Sequence, residues 1–359
     1  MTGRPLKLLI SARDPGAAHN MIPVIRQSRV RDDIDPIVVA SGAAKGIFSK
    51  NGIACEAADI NGDLAVAGAQ LIDRIAPDAI LAGSSGPDAG IDEALILGGG
   101  DIPAFVLQDF WGDINPAVGP KADCYLVIDE TAACLTRDRG ARSVEIVGAP
   151  KYRIYEKFDI AAASDAARGR AGASADTTLA VFFGQPHLPP VPCARAVKAF
   201  FNAAASASDN VRLLYRPHPR EETVPSAVDV ITDLSTEDWL CGCDIAGTFF
   251  SNCAFDLAHL NRRSPKPLVA MICLGGIPGI HDRYVEMTAL ETIPVCDAGL
   301  ALPCGTLPDL PEAIKTAMSA ETRTEIAAHA RAVLPDPIAA PDRILDRIRK
   351  DVSLAATAS

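Results

Sequence analysis

The sequence predicts an α/β protein built from two doubly wound domains. Short apolar runs alternate with helical patterns along most of the chain. A segment at residues 161–178 is poor in aliphatic side chains, and the alternation starts again after it. With 48% hydrophobic residues, a chain of 359 residues can form two cores of medium size. Strands that alternate with helices in this way form parallel sheets of the Rossmann-like kind.

In the first half, apolar runs of strand length end in small or polar residues, and helical spacing follows most of them. This pattern predicts a first domain over residues 1–160. Its predicted strands are Leu6–Ser11, Ile37–Ala40, Ala79–Ala82, Ala104–Leu107, Cys124–Ile128 and Val144–Val147, and its predicted helices are 19–26, 66–75, 91–97 and 130–137.

The segment 161–178 is rich in Ala, Ser, Gly and Asp, which is typical of a linker, and we expect it to act as a hinge. A second domain is predicted over 179–335, and a helical tail over 336–359. The second domain has predicted strands at Leu179–Phe183, Val211–Tyr215, Val228–Ile231, Cys243–Ala246 and Leu268–Cys273, with helices at Cys193–Ala205, Thr236–Leu240 and Ser251–Leu260.

Charge and composition exclude several classes of function. A net charge of −11 argues against a nucleic-acid partner, because such binding needs a basic surface. No apolar run has the length of a transmembrane segment, and the start lacks a signal-peptide pattern, so a cytoplasmic protein is expected. The 10 cysteines are scattered, and no zinc-binding set accompanies the pair Cys241 and Cys243, so no metal is expected.

The most informative motif is the pair of segments Leu213–Arg220 and Asp244–Asp256. Each is predicted to be a strand that ends in polar residues, where an open α/β sheet binds its ligand. Gly247 and Thr248 are expected to leave the strand, and Ser251 and Asn252 to open a helix whose free N–H groups suit a phosphate. Asp256 follows a little over one helical turn later and could reach a ribose hydroxyl.

His218 lies between two prolines, which hold its backbone extended at the end of a strand. The ring is therefore a candidate for a ligand contact, and the alternative is a histidine bonded to a backbone carbonyl. Arg216 could bind a phosphate through two hydrogen bonds, or pair with Glu221 or Glu222.

Two further loops of the second domain are candidates for ligand binding. Gly184 and Gln185 end its first strand, where a backbone N–H could meet a phosphate, although an ordinary turn fits equally well. Gly276 and His281 lie in a glycine-rich loop after a later strand, which could be a lid or a surface turn.

Three strand ends of the first domain carry candidate acceptor-side groups. Asp14 and His19 follow the first strand and could act as general base, although Asp14 could instead be a helix N-cap. Trp111 could stack on a sugar if exposed, although it could instead belong to the core. The other candidates at these strand ends are Gly16, Ser84, Ser85, Gln108 and the alternative base Asp109.

Three segments of the second half carry a resemblance to a known superfamily. The run Tyr215–Pro219, the run Gly247–Asp256 and the Lys266–Pro267 pair resemble the C-terminal domain of GT-B-fold enzymes. They are most similar to CDP-glycerol glycerophosphotransferases and more distantly to UDP-N-acetylglucosamine 2-epimerases. In the first group a strand ends in Lys-Pro-His-Pro, and a Ser-Ser pair precedes an acid; here the pair is Ser251 and Asn252 and the acid is Asp256.

The sequence also departs from both families. The glycerophosphotransferases carry a His-Gly-Thr-x-x-Lys motif, and the nearest equivalent here is Gln108–Gly112, without histidine or lysine. The Ser-Gly-Gly helix start and the tandem glutamates of the epimerases are also absent. The chemistry that depends on those groups is therefore not implied.

The resemblance implies a GT-B-like fold, with two Rossmann-like domains facing across a cleft. It implies a transferase that moves a glycosyl or polyol-phosphate unit from a UDP- or CDP-linked donor to a small-molecule or glycan acceptor, without metal or cofactor, as in polysaccharide biosynthesis. His218 would be a catalytic group that contacts the donor phosphate and, in its protonated form, stabilises the negative charge that grows on the departing nucleotide. The alternatives are a UDP-sugar 2-epimerase or hydrolase, and a catalytically silent nucleotide-sugar-binding protein; a homodimer is compatible with each.

Overall fold

The computed structural model describes residues 4–86, 88–221 and 228–358, and it divides into two compact units. The first unit comprises Met1–Ile154 with Pro335–Ser359, and the second comprises Tyr155–Leu334. The chain therefore leaves the first unit, forms the second and then returns to the first.

The first unit contains a parallel sheet of 7 strands in the order β3-β2-β1-β4-β5-β6-β7 within the described residues. The order reverses between β1 and β4, and in open α/β sheets such a reversal marks the ligand-binding edge. The strands are β1 (Leu6–Ala12), β2 (Ile34–Ala40), β3 (Glu56–Ala57), β4 (Ala79–Gly83), β5 (Ala104–Leu107), β6 (Cys124–Val127) and β7 (Val144–Ile146).

Helices cover this sheet, and most of them show an apolar face with polar residues opposite. They are α1 (Pro15–Ser28), α2 (Gly42–Lys50), α3 (Leu64–Ile75), α4 (Ile91–Gly98) and α5 (Glu130–Asp138), followed by a 3₁₀ helix over Pro150–Lys157. The expected C-terminal tail is part of the same unit, because α14 (Ala340–Ala358) packs against α1. Its buried side chains Ile344, Leu345 and Ile348 belong to the core formed by β1 and α1.

The second unit contains a parallel sheet of 6 strands, in the order β10-β9-β8-β11-β12-β13 within the described residues. Here the order reverses between β8 and β11. The strands are β8 (Thr178–Phe183), β9 (Val211–Arg216), β10 (Asp229–Val230), β11 (Ile245–Thr248), β12 (Met271–Cys273) and β13 (Leu302–Pro303). The helices are α6 (Ile160–Arg170), α7 (Pro190–Ala207), α8 (Thr236–Gly242), α9 (Cys253–Arg263), α10 (Ile280–Thr288), α11 (Pro294–Asp297), α12 (Leu310–Met318) and α13 (Ala320–Val333), with a 3₁₀ turn at Leu307–Asp309.

Packing in the core of the second unit, which is rich in aromatic side chains, explains the positions of Gly247 and Thr248. We expected both residues to follow the strand. Gly247 and Thr248 both lie inside β11. A Cβ on Gly247 would come within 2.6 Å of the Phe200 ring, so the glycine admits that ring. The fully buried hydroxyl of Thr248 donates to the carbonyl oxygen of Phe183 at 3.0 Å. Both residues therefore serve packing, and we leave them out of the proposed site.

The expected linker differs from the structure, because most of it is helix α6. Asp159 caps this helix by accepting a hydrogen bond from the Ala162 N–H. Ala163 and Ala167 are buried, and α6 packs against α8. A Cβ on Gly242 would lie 2.6 Å from Cβ of Ala167, so small residues on both helices permit a close approach. Residues 161–170 therefore form a packed helix, and the expected hinge stays a prediction.

Within the described ranges, no helix combines the length and the apolar character needed to cross a membrane.

Candidate functional site

In the first unit, the carboxyl ends of β1, β4 and β5 and the segments beside them bring polar residues together at what we call the first edge (residues 13–16, 19, 84–86, 108–109, 113 and 151). The Ser84 hydroxyl donates to Oδ1 of Asp109 at 2.9 Å. A Cβ on Gly16 would lie only 1.5 Å from Oδ2 of Asp109, so this carboxylate rests against the first turn of α1. The positive end of the α1 dipole therefore faces a carboxylate of the protein itself.

Carboxyl groups at the first edge have raised pKa values. Burial raises the pKa of Asp109, while Lys151 and the Ser84 hydroxyl oppose this shift. Burial also raises the pKa of Asp113 to about 6, and the Asp109 carboxylate adds to that effect. Groups with pKa values nearer neutrality can exchange protons with a ligand at physiological pH.

Asp14 occupies the N-cap position of α1, but its side chain does not accept a hydrogen bond from the helix. Its Oδ2 accepts from the Gly86 N–H at 3.1 Å, and its Oδ1 lies 3.3 Å from Nε of Arg13. Arg13 also donates to the carbonyl oxygen of Asp88. Asp14 therefore ties the end of β1 to the loop after β4.

His19 and Lys151 form the basic part of the first edge. His19 lies on the exposed side of α1, where partial burial of its ring and the nearby ammonium of Lys151 lower its pKa. The Lys151 backbone N–H donates to Oδ1 of the buried Asn20 at 3.1 Å. Our sequence analysis missed Lys151; the available signal was the Gly148–Pro150 turn just after β7.

Two buried acids at the start of α4 support this edge, and the sequence analysis missed both. Oδ1 of Asp92 accepts from the Ser11 hydroxyl at 2.6 Å, and burial raises the pKa of Asp92 to about 7. Oε1 of Glu93 accepts from the Ser85 hydroxyl at 2.7 Å. Ser85, which we expected to bind a ligand, therefore has its hydroxyl directed to Glu93.

Gln108 and Trp111 lie in the interior of the first unit. The Gln108 amide donates to the Asp113 carbonyl oxygen at 2.9 Å and accepts from the Thr136 hydroxyl at 3.1 Å. The Trp111 ring is only 4% exposed, and its Nε1–H donates to Asp129 at 2.9 Å. Neither side chain offers a surface to a ligand, so we leave both out of the proposed site.

The corresponding part of the second unit, which we call the second edge, consists of residues 184–185, 216–221 and 250–256. The turn after β9 carries His218, whose Nδ1 accepts from the Arg220 N–H at 3.1 Å. Glu221 accepts from the His218 N–H at 3.0 Å and from the Tyr215 hydroxyl at 2.5 Å. From the sequence, Glu221 was predicted only as an ion-pair partner of Arg216. In the structure its carboxylate accepts hydrogen bonds from His218 and Tyr215 and so holds this turn.

The Arg216 guanidinium contacts backbone carbonyl groups of its own unit, and its expected phosphate contact stays a prediction. Its guanidinium donates to the carbonyl oxygens of Ile231 at 3.3 Å and Leu234 at 3.0 Å. Burial lowers the pKa of Arg216. The side chain thus joins β9 to the segment before α8, while the alternative partner Glu222 lies outside the described residues.

The loops after β8 and β11 meet at the second edge. Oε1 of Gln185 accepts from the Phe250 N–H at 3.1 Å. Helix α9 begins two residues later than expected, with the exposed Asn252 at the N-cap position. The Ser251 hydroxyl accepts from the Cys253 N–H at 3.4 Å. The Ala254 and Phe255 N–H groups of this start already donate to the carbonyl oxygens of Ser251 and Asn252, at 3.1 Å and 2.9 Å. The N–H groups that we consider for an anion are therefore those of Ser251 and Asn252, just before the helix.

Asp256 is half-buried in the first turn of α9. Burial raises the pKa of Tyr155, and the negative charges of Asp256 and Glu237 raise it further. The Tyr155 hydroxyl donates to Oε1 of Glu237 at 3.1 Å. Asp256 therefore lies in an acidic group of side chains beside the helix start, within the same unit as Ser251.

The loop after β12 is short and leads directly into α10. Gly276 packs closely, since a Cβ there would lie 3.2 Å from Cα of Gly305. The His281 ring Nε2 is hydrogen-bonded to the carbonyl oxygen of Glu291 at 2.8 Å. This contact corresponds to the surface-turn alternative, so the proposed site does not include these residues. In the parts of the chain that the structure describes, no group of three or more His, Cys, Asp or Glu residues is arranged to hold a metal ion.

Comparison with known proteins identifies the fold. No protein-family model matches the sequence, and no curated protein matches it significantly. A UDP-N-acetylglucosamine 2-epimerase described as putative, from Listeria monocytogenes, is similar in structure, with a TM-score of 0.67, 13% identity and 97% coverage of both chains. The UDP-GlcNAc 2-epimerase of Neisseria meningitidis bound to UDP-GlcNAc has a TM-score of 0.65 at 12% identity, over 96% of this chain and 100% of the other. MurG of Acinetobacter baumannii has a TM-score of 0.58 at 14% identity, over 96% and 99%.

These similarities extend over nearly the whole chain, and the protein therefore has a GT-B-like α/β fold. This confirms the predicted fold class. The narrower resemblance to CDP-glycerol glycerophosphotransferases stays a prediction.

Proposed function

We propose that the protein is an enzyme that binds a UDP-linked sugar and changes the stereochemistry at C2 of that sugar. The observation that carries the choice of reaction is the position of the Asp109 carboxylate at the end of β5, where it accepts from the Ser84 hydroxyl at 2.9 Å and lies against the first turn of α1. Burial raises the pKa of this carboxyl and that of Asp113, which supports the same choice. Inversion of a carbon that bears hydrogen needs groups that remove and return a proton. The similarity in fold to UDP-GlcNAc 2-epimerases supports the same choice.

The second edge would bind the diphosphate. The start of α9 at Ser251 and Asn252 offers N–H groups, and His218 offers a ring nitrogen beside it in the same sheet edge. Asp256 is our candidate for the ribose hydroxyls. The negative charge of the diphosphate would be stabilised by the dipole of α9 and by hydrogen bonds.

The proton at C2 of such a sugar is not acidic by itself, because C2 lies beside an acetal carbon and not beside a carbonyl. Its removal would be coupled to departure of UDP from C1. The electrons of the C2–H bond would form a C1=C2 bond, and those of the C1–O bond would leave with UDP. Return of UDP to C1 and of a proton to the other face of C2 would give the epimer.

Asp109 is our first candidate for the base that takes the C2 proton. Burial raises the pKa of its carboxyl, which brings the group closer to the range in which it can both accept and return a proton. Asp14 and His19 are the alternatives. The lowered pKa of His19 leaves its ring neutral at pH 7 and able to accept a proton, whereas the Asp14 carboxylate is already bonded to the Gly86 N–H.

A transferase is the second candidate. The observation that favours it is the Tyr215–Pro219 run, which resembles that of glycerophosphotransferases. In that case a base at the first edge would take the proton of an acceptor hydroxyl. Either the C1–O bond of a UDP-linked sugar would break with UDP as the leaving group, or the P–O bond within the diphosphate of a CDP-linked polyol would break with CMP as the leaving group. C2 of a transferred sugar would keep its hydrogen.

Deuterium incorporation distinguishes the two reactions. The protein is incubated in D₂O with UDP-N-acetylglucosamine, and the sugar is followed by NMR while UDP binding is measured by calorimetry. We expect UDP to bind, and both the epimer and deuterium at C2 to appear. Binding without deuterium incorporation would contradict the epimerase proposal. A transferase would then convert donor only when an acceptor is added, and a silent binding protein would not convert it at all.

A further inference from the structure

The turn that carries His218 is closed by Glu221 at both ends. The Glu221 N–H donates to the His218 carbonyl oxygen at 2.9 Å, and Oε2 of Glu221 accepts from the His218 N–H at 3.0 Å. Pro219 occupies the second position of this four-residue turn, where its restricted φ is favoured. The backbone on both sides of the His218 ring is thus bonded to a single residue.

The Glu221 carboxylate is itself held from two sides. Its Oε1 accepts from the hydroxyl of the buried Tyr215 at 2.5 Å. A Cβ on Gly184 would lie 2.1 Å from Oε2 of Glu221 and 2.5 Å from the Tyr215 hydroxyl. Gly184, at the end of β8, therefore leaves the space that the carboxylate occupies.

The contact of the His218 ring determines which of its nitrogens carries a proton. The Arg220 N–H donates to Nδ1 at 3.1 Å, so Nδ1 is an acceptor and the neutral ring bears its hydrogen on Nε2. Burial lowers the pKa of His218, and the charges of Arg220 and His187 lower it further. The ring is therefore neutral at pH 7, unlike the protonated form that we expected from the sequence, and it has an N–H available at Nε2.

We propose that Glu221 is a positioning residue, which holds the His218 turn so that the ring has one orientation and one tautomer, with Nε2–H as the donor to a ligand. The identity of that ligand as a UDP diphosphate rests on the proposed function. The positioning itself is a property of the free protein and is measured without any ligand.

The first experiment is NMR of protein labelled with ¹⁵N-histidine, with the His218 signals assigned by their loss in His218→Asn. We expect the Nε2–H tautomer to dominate in the wild type. Glu221→Ala removes the acceptor and Gly184→Ala displaces it, so both should give a mixture of tautomers. Glu221→Gln keeps an acceptor for the His218 N–H and should retain the wild-type tautomer.

Gly169→Ala is the matched glycine control, because nothing lies within 4 Å of a Cβ at that helical position. It should leave the His218 signals unchanged. If Glu221→Ala does not fold, Gly184→Ala and Tyr215→Phe test the same contact. An unchanged His218 tautomer in the folded variants would overturn the proposal.

The second experiment measures UDP binding by calorimetry at pH 7. Loss of one well-placed hydrogen bond to a charged group weakens binding by about tenfold, and we expect this for Glu221→Ala and for His218→Ala. If wild-type protein does not bind UDP, the proposed function fails, while the NMR result still decides the role of Glu221. If Glu221→Ala alters the tautomer but binds UDP like the wild type, Nε2–H is not the donor and the proposal is overturned.

Discussion

The two edges occupy the same position in two similar sheets, yet they differ in charge. At the first edge, the Asp109 carboxylate rests against the start of α1, where Gly16 makes room for it. At the second edge, the neutral side chains Ser251 and Asn252 precede α9, and the acid of its first turn is Asp256, whose charge acts on Tyr155. A carboxylate that rests directly against a helix start takes the place of an outside anion, and this is the case at α1. This difference is the reason why we propose proton transfer at the first edge and anion binding at the second.

Removal of the Asp109 charge should have the largest effect. Asp109→Asn keeps an acceptor for the Ser84 hydroxyl but loses the base, so we expect turnover to fall by about 10²–10⁴-fold while UDP affinity changes little. Initial rates and calorimetry measure the two quantities. Asp101→Asn, at an exposed position of the same unit, is the matched control and should leave turnover unchanged. Equal losses of turnover and UDP affinity would contradict the division between the edges.

The buried acid Asp92 should make the stability of the first unit depend on pH. Its folded pKa of about 7 lies above its ordinary value of 3.8, so the folded state binds more protons than the unfolded state between these values. The free energy of unfolding therefore falls as pH rises through this window, by up to about 4 kcal/mol.

Urea unfolding of Asp92→Asn at pH 5 and pH 8 checks this expectation. The variant cannot ionise, so it should be more stable than the wild type at pH 8 and lose most of the pH dependence that Asp92 causes. Asp101→Asn should follow the wild type at both pH values. The free energy of unfolding of the wild type could instead rise from pH 5 to pH 8, with an equal rise for Asp92→Asn. That result would mean that ionisation of Asp92 does not destabilise the folded state.

The smallest effect concerns the start of α9. Replacement of Ser251 and Asn252 together by alanine removes polar side chains but leaves the backbone N–H groups, so UDP affinity should fall by about tenfold. Calorimetry measures the affinity, and circular dichroism shows that the helix is retained. Ser319→Ala at the start of α13 is the matched control, since Ser319 occupies the N-cap position of its helix, as Asn252 does in α9, and neither side chain makes a cap bond. Unchanged affinity in the folded double variant would remove this helix start from the site.

The sequence predicted most strands because their apolar runs end in recognisable turns. The predicted Ala104–Leu107 has the same bounds as β5, and the expected meeting of Ser84 and Asp109 at neighbouring strand ends is observed as a hydrogen bond. Both predictions depend on features that can be read in the sequence. These are the apolar runs that end in turns, and the alternation of strands and helices that indicates a parallel sheet.

The contacts that the sequence did not reveal depend on tertiary packing. Gly247 was expected in a ligand loop, but its role depends on the Phe200 ring of another element. Lys151 follows β7 and lies near Asp109 and His19 only because β7 belongs to the same sheet as β1 and β5. The segment 161–178 looked like a linker because small residues are common to linkers and to close helix contacts, and composition alone does not separate the two.

The return of the chain to the first unit has a consequence for its synthesis. Helix α14 supplies Ile344, Leu345 and Ile348 to a core whose other buried residues precede position 150. Arg343 also donates to the carbonyl oxygen of Val147 at 2.7 Å. A nascent chain therefore holds an incomplete N-terminal core on the ribosome until the whole second unit has been translated, whereas the second unit has all of its residues as soon as it emerges.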